Sequence, residues 1–451
     1  MKKYENYKDS GVEWLGKIPS DWQFEKIKFH IHFEKGKNPK ELTDENNSEF
    51  PVYLSVDYLR GKQKNIQYVK DVTNCSIINN GEILLLWDGA NAGEFMVGKN
   101  GVLSSTMCKV SFNKKLSKTF GWYVLITYEK EIREVTIGMG IPHVNGYDLN
   151  SSYIPLPPLP EQLSIVNFLD HTTERIDRFI ANRKKQIELS KEKKAAIINK
   201  AVTKGINPNA KMKDSGIEWI GKIPEHWKIW KVSRLFKKIG SGTTPKAGTP
   251  AYYENGTIPW VNTGDLNDGI LYNCGTFITK KAYIDHSTLK IYNKETLLIA
   301  MYGATIAKLS ILNFDACTNQ ACCALSNSKL IKIDFAFNWF LSQKQNIINL
   351  SYGGGQPNIS QDIVRSIRIP LPPSKEQYAI IEYIKSETST IDALITKYQK
   401  QIDLMQEYRT ALISQAVTGK IDVRNWQAKK KKYNTPETQL LAAAEKTEVY
   451  E

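Results

Sequence analysis

Apolar residues recur at helical spacing in two long segments of this chain. Isoleucines stand every eleven residues, at 165, 176, 187 and 198 and again at 380, 391, 402 and 413. Eleven residues are close to three helical turns, so each ladder stays on one face of a helix. Gly205 and Gly419 follow the same Ala-Val-Thr sequence, as expected of helix ends. The pattern predicts two helices, each about 60–70 Å long at 1.5 Å per residue.

The starts of the two helices carry different signals. Pro160 suits the first turn of the first helix, where its missing N–H costs nothing. Ser374-Lys-Glu-Gln377 predicts a capping box at the start of the second helix. An apolar stripe on a lone helix would face water, so the simplest arrangement is an antiparallel pair that buries both stripes. The alternative is that each helix folds back on a neighbouring globular lobe.

Two lobes, at about 20–155 and 225–370, alternate with these helices. Their apolar runs are short, rich in strand-forming residues and separated by glycine and asparagine, which predicts mixed α/β (α+β) lobes. Faint equivalences connect them: Pro51–Asp57 aligns with Pro259–Asp265, Asp88 with Tyr302, and Gly140–Val144 with Gly355–Ile359. The sequence therefore predicts one fold used twice, with diverged loops.

A twelve-residue string precedes each lobe. Lys8–Pro19 and Lys213–Pro224 share ten of their twelve residues. The first copy opens the chain and the second follows the first helix, so the end of the second helix should lie near residue 8. This predicts a near-circular layout with a pseudo-twofold axis, in which two different surfaces occupy equivalent positions.

Charge and cysteine usage narrow the classes of function. The formal charge is +14 and the isoelectric point is about 9.2, which favours a polyanionic partner, although a basic surplus serving solubility alone is the alternative. The six cysteines form no Cys-x-x-Cys pair, so a zinc site is not expected. Neither a membrane-spanning run nor a signal peptide is recognisable, and we expect the cytoplasm.

These features together resemble the specificity subunit of type I restriction–modification systems. The residues that carry the resemblance are Lys213–Trp219 with Ile223-Pro224 and Trp227, Ser241–Pro245, Ile258–Asp265, Gln356–Ser360, and the Pro-Leu-Pro-Pro segments at 155–158 and 370–373. Their order, spacing and duplication all agree, over nearly the whole chain. The last residues, from 421 on, include the run Lys429–Lys432 and are expected to be partly disordered.

The resemblance implies a protein without a catalytic centre. Two target-recognition domains would each read one half of a split, asymmetric sequence in double-stranded DNA, and the antiparallel helices would fix the gap between the halves. Two methyltransferase (M) subunits and the restriction/translocation (R) subunits would dock on the repeated frame. S-adenosylmethionine, ATP and Mg²⁺ would be bound by those partners, and no cofactor or metal by this chain.

The resemblance implies domain boundaries, and the chemistry of the loop side chains supplies candidate site residues. The domains are a first recognition domain at 1–155, a first helix at 156–205, a second recognition domain at 206–370, a second helix at 371–420, and a basic tail at 421–451. Base contacts need paired donors and acceptors on loops. The candidates are Ser55, Asp57, Asp88, Asn91, His143 and Asn145 in the first lobe and Thr243, Thr244, Lys246, Asn262, Asp265, Tyr302, Gln356 and Asn358 in the second. Candidates for subunit docking are Trp14, Trp219, Ile176, Ile187, Ile391 and Ile402.

Local roles compete with the DNA contacts, because Asn, Asp and Thr often cap turns. Two other classes of protein also stay open. A nuclease–methyltransferase with its own recognition region would need cofactor motifs, and the sequence has no Gly-x-x-x-x-Gly-Lys-Ser/Thr loop. A coiled-coil scaffold with two protein- or ligand-binding lobes would show no sequence-dependent affinity for DNA.

Overall fold

The computed structural model describes residues 2–138, 141–352 and 358–427. These residues form two compact units: one comprises the residues up to Asn182 and from Gln401 on, and the other comprises Arg183–Lys400. Each unit therefore contains one lobe and a segment of each long helix. The tail from residue 428 on, with Lys429–Lys432, and the candidate Gln356 lie outside the described residues.

The first lobe is a mixed α/β structure of short elements. Its strands are β1 (Tyr7–Asp9), β2 (Lys17–Pro19), β3 (Gln23–Lys26), β4 (Ile31–Lys35), β5 (Leu42–Thr43), β6 (Tyr53–Leu54), β7 (Tyr68–Val69), β8 (Ile77–Ile78), β9 (Ile83–Leu86), β10 (Phe95–Val97), β11 (Gly101–Leu103), β12 (Met107–Phe112) and β13 (Tyr153–Leu156). Its helices are α1 (Val56–Leu59), α2 (Lys118–Glu134) and α3 (Gly146–Ser151), and α4 (Leu159–Lys204) follows. A 3₁₀ turn spans Ile27–Phe29.

Two sheets form the centre of the first lobe. One has four strands in the order β10-β9-β12-β4, and the other has three in the order β6-β11-β8. Pairs β13-β3, β1-β2 and β5-β7 surround them. All four residues of β9 are buried, because sheet neighbours flank this strand and apolar side chains cover both faces.

The second lobe repeats this plan. Its strands are β14 (Met212–Asp214), β15 (Lys222–Pro224), β16 (Lys228–Lys231), β17 (Lys238–Gly240), β18 (Ile258–Val261), β19 (Gly269–Leu271), β20 (Phe277–Ile278), β21 (Leu297–Ala300), β22 (Leu309–Leu312), β23 (Cys317–Thr318), β24 (Cys322–Ser326) and β25 (Arg368–Leu371). Its helices are α5 (Val232–Leu235), α6 (Pro250–Tyr253), α7 (Lys280–Asp285), α8 (Ile333–Ser342), α9 (Lys344–Ile348) and α10 (Gln361–Ser366), followed by α11 (Ser374–Val417). A 3₁₀ turn spans Gly303–Thr305.

The sheets of the second lobe correspond to those of the first. Five strands run in the order β17-β24-β21-β22-β19 and three in the order β20-β18-β23. Pair β16-β25 matches β3-β13, and β14-β15 matches β1-β2. The predicted mixed α/β lobes in two copies are confirmed.

The long helices are those that the isoleucine ladders predict. All eight ladder isoleucines are buried, none more than 8% exposed. Within the first unit Asp177 of α4 accepts a hydrogen bond from Nε of Arg409 of α11 at 3.0 Å. Within the second unit Nζ of Lys194 on α4 lies 2.7 Å from Asp392 of α11. Residue numbers rise along one helix as they fall along the other, so the predicted antiparallel pairing is confirmed.

A buried glutamine connects the start of each long helix to its lobe through hydrogen bonds. Gln162 is fully buried, accepts a hydrogen bond from the Ser117 N–H at 2.9 Å, and donates to the carbonyls of Lys115 and Pro157. Gln377 makes the corresponding three bonds in the second unit, with the Lys332 N–H and the carbonyls of Leu330 and Pro372.

The capping box predicted at Ser374 is wrong. Ser374 is already helical, and Oε1 of Gln377 accepts the Lys332 N–H of the lobe, whereas in a capping box it would accept an N–H at the helix start. Gln377 itself is only 1% exposed, so its amide is satisfied by these three backbone groups and not by water.

The N-terminal residues meet the segment that follows α11 within the first unit. Lys2 and Asp422 form an antiparallel backbone bridge, and the Asp422 N–H donates to the Lys2 carbonyl at 2.9 Å. The Lys420 ammonium donates to the carbonyls of Leu15 and Lys17, inside the first copy of the repeated string. The prediction that the second helix ends close to this string is confirmed.

Candidate nucleic-acid interface

Within each lobe, the same two loops lie next to each other. In the first, Asp88 forms a backbone bridge with His143, which also bridges Ile137. In the second, Tyr302 bridges Asn358, which also bridges Tyr352. The same double bridge confirms the sequence equivalences of Asp88 with Tyr302 and of His143 with Asn358. It also places two widely separated candidate positions of each lobe next to each other.

A short segment, Thr318–Ala321, connects the candidate loops of the second lobe. The Gly242 N–H donates to Oγ1 of Thr318, and Oγ1 of Thr244 lies 2.6 Å from Oε1 of Gln320. The Met301 N–H donates to the carbonyl of Ala321 at 2.8 Å. The glycine loop and the turn at Tyr302 are thus held on one connector.

The end of β18 joins the same connector, because the Asn319 N–H donates to the carbonyl of Val261 at 2.9 Å. Asn262 and Asp265 follow directly in the chain. The described candidates of the second lobe are therefore brought together by the fold.

In the first lobe, the segment Ser104–Thr106 connects the candidate loops, as Thr318–Ala321 does in the second. Leu103, just before it, pairs with Leu54 of β6, which leads into Ser55. The carbonyl of Thr106 accepts hydrogen bonds from the Trp87 and Asp88 amides, at 2.8 and 3.1 Å. Ser55, Asp88 and His143 are therefore clustered by the backbone.

Sequence reasoning missed a loop of the first lobe. Residues 36–40 (Gly-Lys-Asn-Pro-Lys) occupy the place of 242–246 (Gly-Thr-Thr-Pro-Lys). An added Cβ at Gly36 would lie 2.2 Å from the carbonyl oxygen of Ser104, and one at Gly242 would lie 1.8 Å from that of Thr318. Only glycine permits this approach. The shared Gly-x-x-Pro-Lys spacing was the available signal, and it adds the exposed Lys37, Asn38 and Lys40 to the candidates.

Several candidate side chains are engaged in local caps. Ser55 caps α1 through the Tyr58 N–H, and Asn145 caps α3 through the amides of Tyr147 and Asp148. Oδ2 of Asp265 accepts the Asn262 N–H at 2.9 Å, and Oδ1 of Asn262 accepts the Gly264 N–H at 2.7 Å. These four residues shape their loops, and a contact with a base would have to use their remaining lone pairs or amide hydrogens.

The other candidates present more of their surface. Asp57, Asn91, Thr244 and Lys246 are exposed, while Asp88, His143, Thr243, Tyr302 and Asn358 are half-buried. Near the candidate loops the structure also exposes large apolar side chains that the sequence did not single out. They are Ile141 and Tyr147 in the first lobe and Tyr352 in the second, which are 70%, 81% and 56% exposed.

Charge at the loops of the first lobe is arranged around Asp88. Nζ of Lys35 lies 2.9 Å from its carboxylate and 5.9 Å from the centre of the Trp87 ring. The pair reduces the negative charge that Asp88 would present to a polyanion, while Lys37 and Lys40 nearby in the chain add positive charge.

The buried cysteines are unreactive thiols. Burial raises the pKa of Cys108 and of Cys323 to about 12, and that of Cys317 to about 11, so these thiols stay protonated at neutral pH. Among the described residues no group of three or more His, Cys, Asp or Glu side chains could hold a metal ion. In the same part of the chain, every helix is too short or too polar to cross a membrane.

The docking candidates differ in accessibility. Trp14 is half-buried and donates its Nε1 hydrogen to the carbonyl of Tyr153 at 3.1 Å, whereas Trp219 is 38% exposed. The four isoleucines are buried within their own units, Ile176 and Ile187 on α4 and Ile391 and Ile402 on α11. A partner cannot touch these four directly, so any role in docking would be to hold the helical surface in shape.

The duplicated lobes, each with a cluster of polar loops, and the paired long helices define a two-part recognition protein. The model of the "Type I restriction modification DNA specificity domain" matches this chain twice, at residues 19–189 and 224–404. The chain therefore belongs to the type I restriction–modification specificity family.

Individual relatives cover the chain almost end to end. The type I restriction enzyme MjaVIII specificity subunit of Methanocaldococcus jannaschii is 32% identical over 433 residues, which are 94% of this chain and 97% of the relative. The putative MjaX specificity subunit of the same organism is 26% identical over 441 residues, or 94% and 98% of the two chains. A solved chain from a study of the assembly and conformational transition of the type I R-M system has the same fold, with a TM-score of 0.68, 16% identity and coverage of 90% and 99%.

Proposed function

We propose that this chain is the DNA sequence-specificity subunit of a type I restriction–modification complex. Each lobe reads one half of a bipartite, asymmetric target in double-stranded DNA. The observation that carries the proposal is the duplicated set of loops: a constant backbone frame, with the double bridge in both lobes, presents different side chains at equivalent positions. Different side chains on one frame would read two different half-sites.

The candidate base-reading residues remain those on the loop clusters. In the second lobe we favour Thr243, Thr244, Lys246 and Asn358, because none of them is fully buried and Thr244 contacts the common connector through Gln320. In the first lobe we favour Asp88, Asn91 and His143, together with the loop at 36–40. The basic surplus of the chain supplies the sequence-independent attraction to phosphate.

Partners would supply all of the chemistry. Two modification subunits with S-adenosylmethionine would methylate adenine, and restriction subunits with ATP and Mg²⁺ would translocate and cleave DNA. We propose the functional division 1–155, 156–205, 206–370, 371–420 and 421–451, with the long helices setting the distance between half-sites and the frame docking the partners.

Deletion of the gene tests the proposal. Adenine methylation mapped across the host genome by single-molecule sequencing should disappear at one split motif and return when the gene is restored. Unchanged methylation at all motifs would contradict the proposal. A scaffold with protein-binding lobes predicts that unchanged result, and it also predicts an assembled complex whose binding to DNA depends on neither salt nor sequence.

A further inference from the structure

A row of three side chains crosses the bridged strands of each lobe. Antiparallel backbone bridges join the central residue of each row to a residue on either side. The first row is Ile137, His143 and Asp88, and the second row is Tyr352, Asn358 and Tyr302. Residues directly opposite each other on antiparallel strands carry their side chains on the same face, with Cβ atoms about 4.5–5.5 Å apart. Each row is therefore one continuous strip of side chains.

Both rows face away from the core of their lobe. Val144 and Ile359, which directly follow the central residues, are 2% and 0% exposed. Successive side chains of a strand point to opposite faces, so the rows point toward solvent. Ile137 and Tyr352, at the equivalent end of the two rows, are 48% and 56% exposed. Each lobe thus exposes a large apolar side chain at the same position of its row.

Two backbone hydrogen bonds hold this apolar residue beside the polar centre of its row. The amides of Ile137 and His143 donate to each other's carbonyls at 3.0 and 2.8 Å, and those of Tyr352 and Asn358 do so at 3.1 Å in both directions. Within the described residues, the His143 ring and the Asn358 amide have no hydrogen-bond partner. Each row therefore pairs an exposed apolar side chain with a polar side chain whose donors and acceptors can bind a ligand.

The edges of DNA bases offer one apolar group to such a pair. In the major groove the 5-methyl group of thymine lies among the hydrogen-bond donors and acceptors of the base edges, and apolar side chains that read DNA contact it there. Asparagine binds the neighbouring kind of edge, that of adenine, through its amide. An apolar residue fixed beside His143 or Asn358 therefore fits a methyl group that adjoins a hydrogen-bonding base edge.

We propose that Ile137 and Tyr352 are specificity-determining residues, each of which packs against the 5-methyl group of a thymine in the half-site that its lobe reads. The polar neighbour, His143 or Asn358, hydrogen-bonds an adjacent base edge. The inference rests on the proposed function and adds to it two residues and the chemical group that they recognise.

Removal of single methyl groups from the DNA tests the inference. The probes are duplexes with the split motif found by methylation mapping, in which deoxyuridine replaces one thymine at a time, and the Kd of the assembled complex is measured. In each half-site one replacement should raise the Kd of the wild-type complex by about fourfold, which is the effect of one buried methyl group.

The variants assign each methyl group to its residue. With Ile137→Ala the thymine and deoxyuridine duplexes of one half-site should bind alike, while the effect in the other half-site persists. Tyr352→Ala should show the opposite selectivity, and Tyr352→Phe, which keeps the ring, should behave like the wild-type complex.

The matched controls are exposed apolar residues far from the rows. Val97→Ala and Ile270→Ala change side chains that are 53% and 46% exposed. Val97 pairs with the first residue of β9, and Ile270 is joined through β22 to the first residue of β21, whereas Asp88 and Tyr302 follow the other ends of these two strands. Both controls should keep the methyl dependence of both half-sites.

The outcomes separate this inference from the proposed function. A wild-type complex that binds the motif no better than a scrambled duplex contradicts the proposed function itself. A complex that prefers the motif but tolerates deoxyuridine at every position overturns only the inference. The inference is also overturned if the cost of deoxyuridine is the same in Ile137→Ala and Tyr352→Ala as in the wild-type complex.

Discussion

At the scale of single residues, the two halves reach the same contacts with different residues. Lys204 precedes Gly205, whereas Lys420 follows Gly419, yet each ammonium group binds two carbonyls of the repeated string. Since a lysine side chain is long and flexible, an exchange of neighbouring residues leaves its end in the same place. The function at such a position resides in the contact and not in the aligned residue.

The glycines of the candidate loops give a prediction at this scale. In Gly36→Ala and Gly242→Ala the new Cβ would collide with a backbone carbonyl, so the loop must move away from its connector. We expect Gly36→Ala to weaken recognition of one half-site, and Gly242→Ala recognition of the other, by about tenfold or more, since a lost base contact costs about 1–3 kcal/mol. The measurement is the Kd of the assembled complex for oligonucleotides in which one half-site at a time is scrambled.

Gly275→Ala is the matched control for the glycine variants. Its added Cβ would lie 3.6 Å from Oδ1 of Asp265, an ordinary contact, so recognition should not change. Equal effects of Gly36→Ala on both half-sites would contradict the assignment of one loop to one half-site.

At the scale of elements, the isoleucine ladders and the ion pairs contribute differently to the helix pair. The ladder residues are buried, while Asp177 and Arg409 are 55% and 35% exposed in their side chains. Exposed ion pairs are worth about 0–1 kcal/mol, whereas burial of an isoleucine is worth considerably more. Burial of the ladder residues therefore contributes more to stability than the exposed ion pairs do. In the second unit, Ile198 and Ile380 are buried in the core of the lobe.

Two neighbouring residues of α11 give the corresponding prediction. Ile402→Ala removes a side chain that is 2% exposed and should lower the free energy of unfolding by about 2–4 kcal/mol. Leu404→Ala removes a side chain that is 53% exposed and should cost less than about 1 kcal/mol. Urea-induced unfolding followed by circular dichroism measures both, and equal losses would show that the ladder does not support the pair.

At the scale of the whole molecule, contacts between Lys2 and the segment that follows α11 complete the repeat. By the alignment of the repeated strings Lys2 corresponds to Asn207, and by the alignment of the helices Asp422 corresponds to the same residue. The bridge between Lys2 and Asp422 therefore lies where the chain of the second unit is continuous. Beyond this bridge, Trp426 packs against Phe168 and His171 of α4, with ring centres 5.4 and 5.3 Å apart. The first unit is therefore held together by non-covalent contacts at the place where the second unit has a continuous backbone.

Low pH should destabilise the segment around Asp422 that bridges Lys2. The Arg424 guanidinium donates two hydrogen bonds to Asp422, at 3.0 and 2.8 Å, and lowers the pKa of its carboxyl below the ordinary 3.8. Because the pKa is lower in the folded state, the stabilisation is complete above the unfolded value and is lost as pH falls through the folded value. The wild-type chain should melt at a higher temperature than Asp422→Asn at pH 6, with a difference that shrinks below about pH 3.8. A difference independent of pH would contradict this.

Local pattern predicted much of the fold. The ladders, the repeated string and the strand-rich runs predicted two long helices, two mixed lobes and the meeting of the second helix with the first string. The sequence alignment of the two lobes was less accurate. It places Pro51 opposite Pro259, and therefore Leu54 opposite Asn262. In the structure Leu54 and Trp260 both pair with the residue just before the connector, Leu103 and Cys317. The displacement arises because strand register depends on partners distant in sequence.

The sequence by itself determined the frame of this protein: its duplication, its helix faces and its family, because these depend on periodicity and on residue identity. The tertiary structure decided which polar residues cap turns, as Asn145 and Asp265 do, and which loops meet on one connector. It also decided that Gly36 begins a candidate loop and that Gln377 binds the lobe instead of capping its helix. Such choices depend on competition among distant backbone groups for hydrogen bonds and space, which no local pattern encodes.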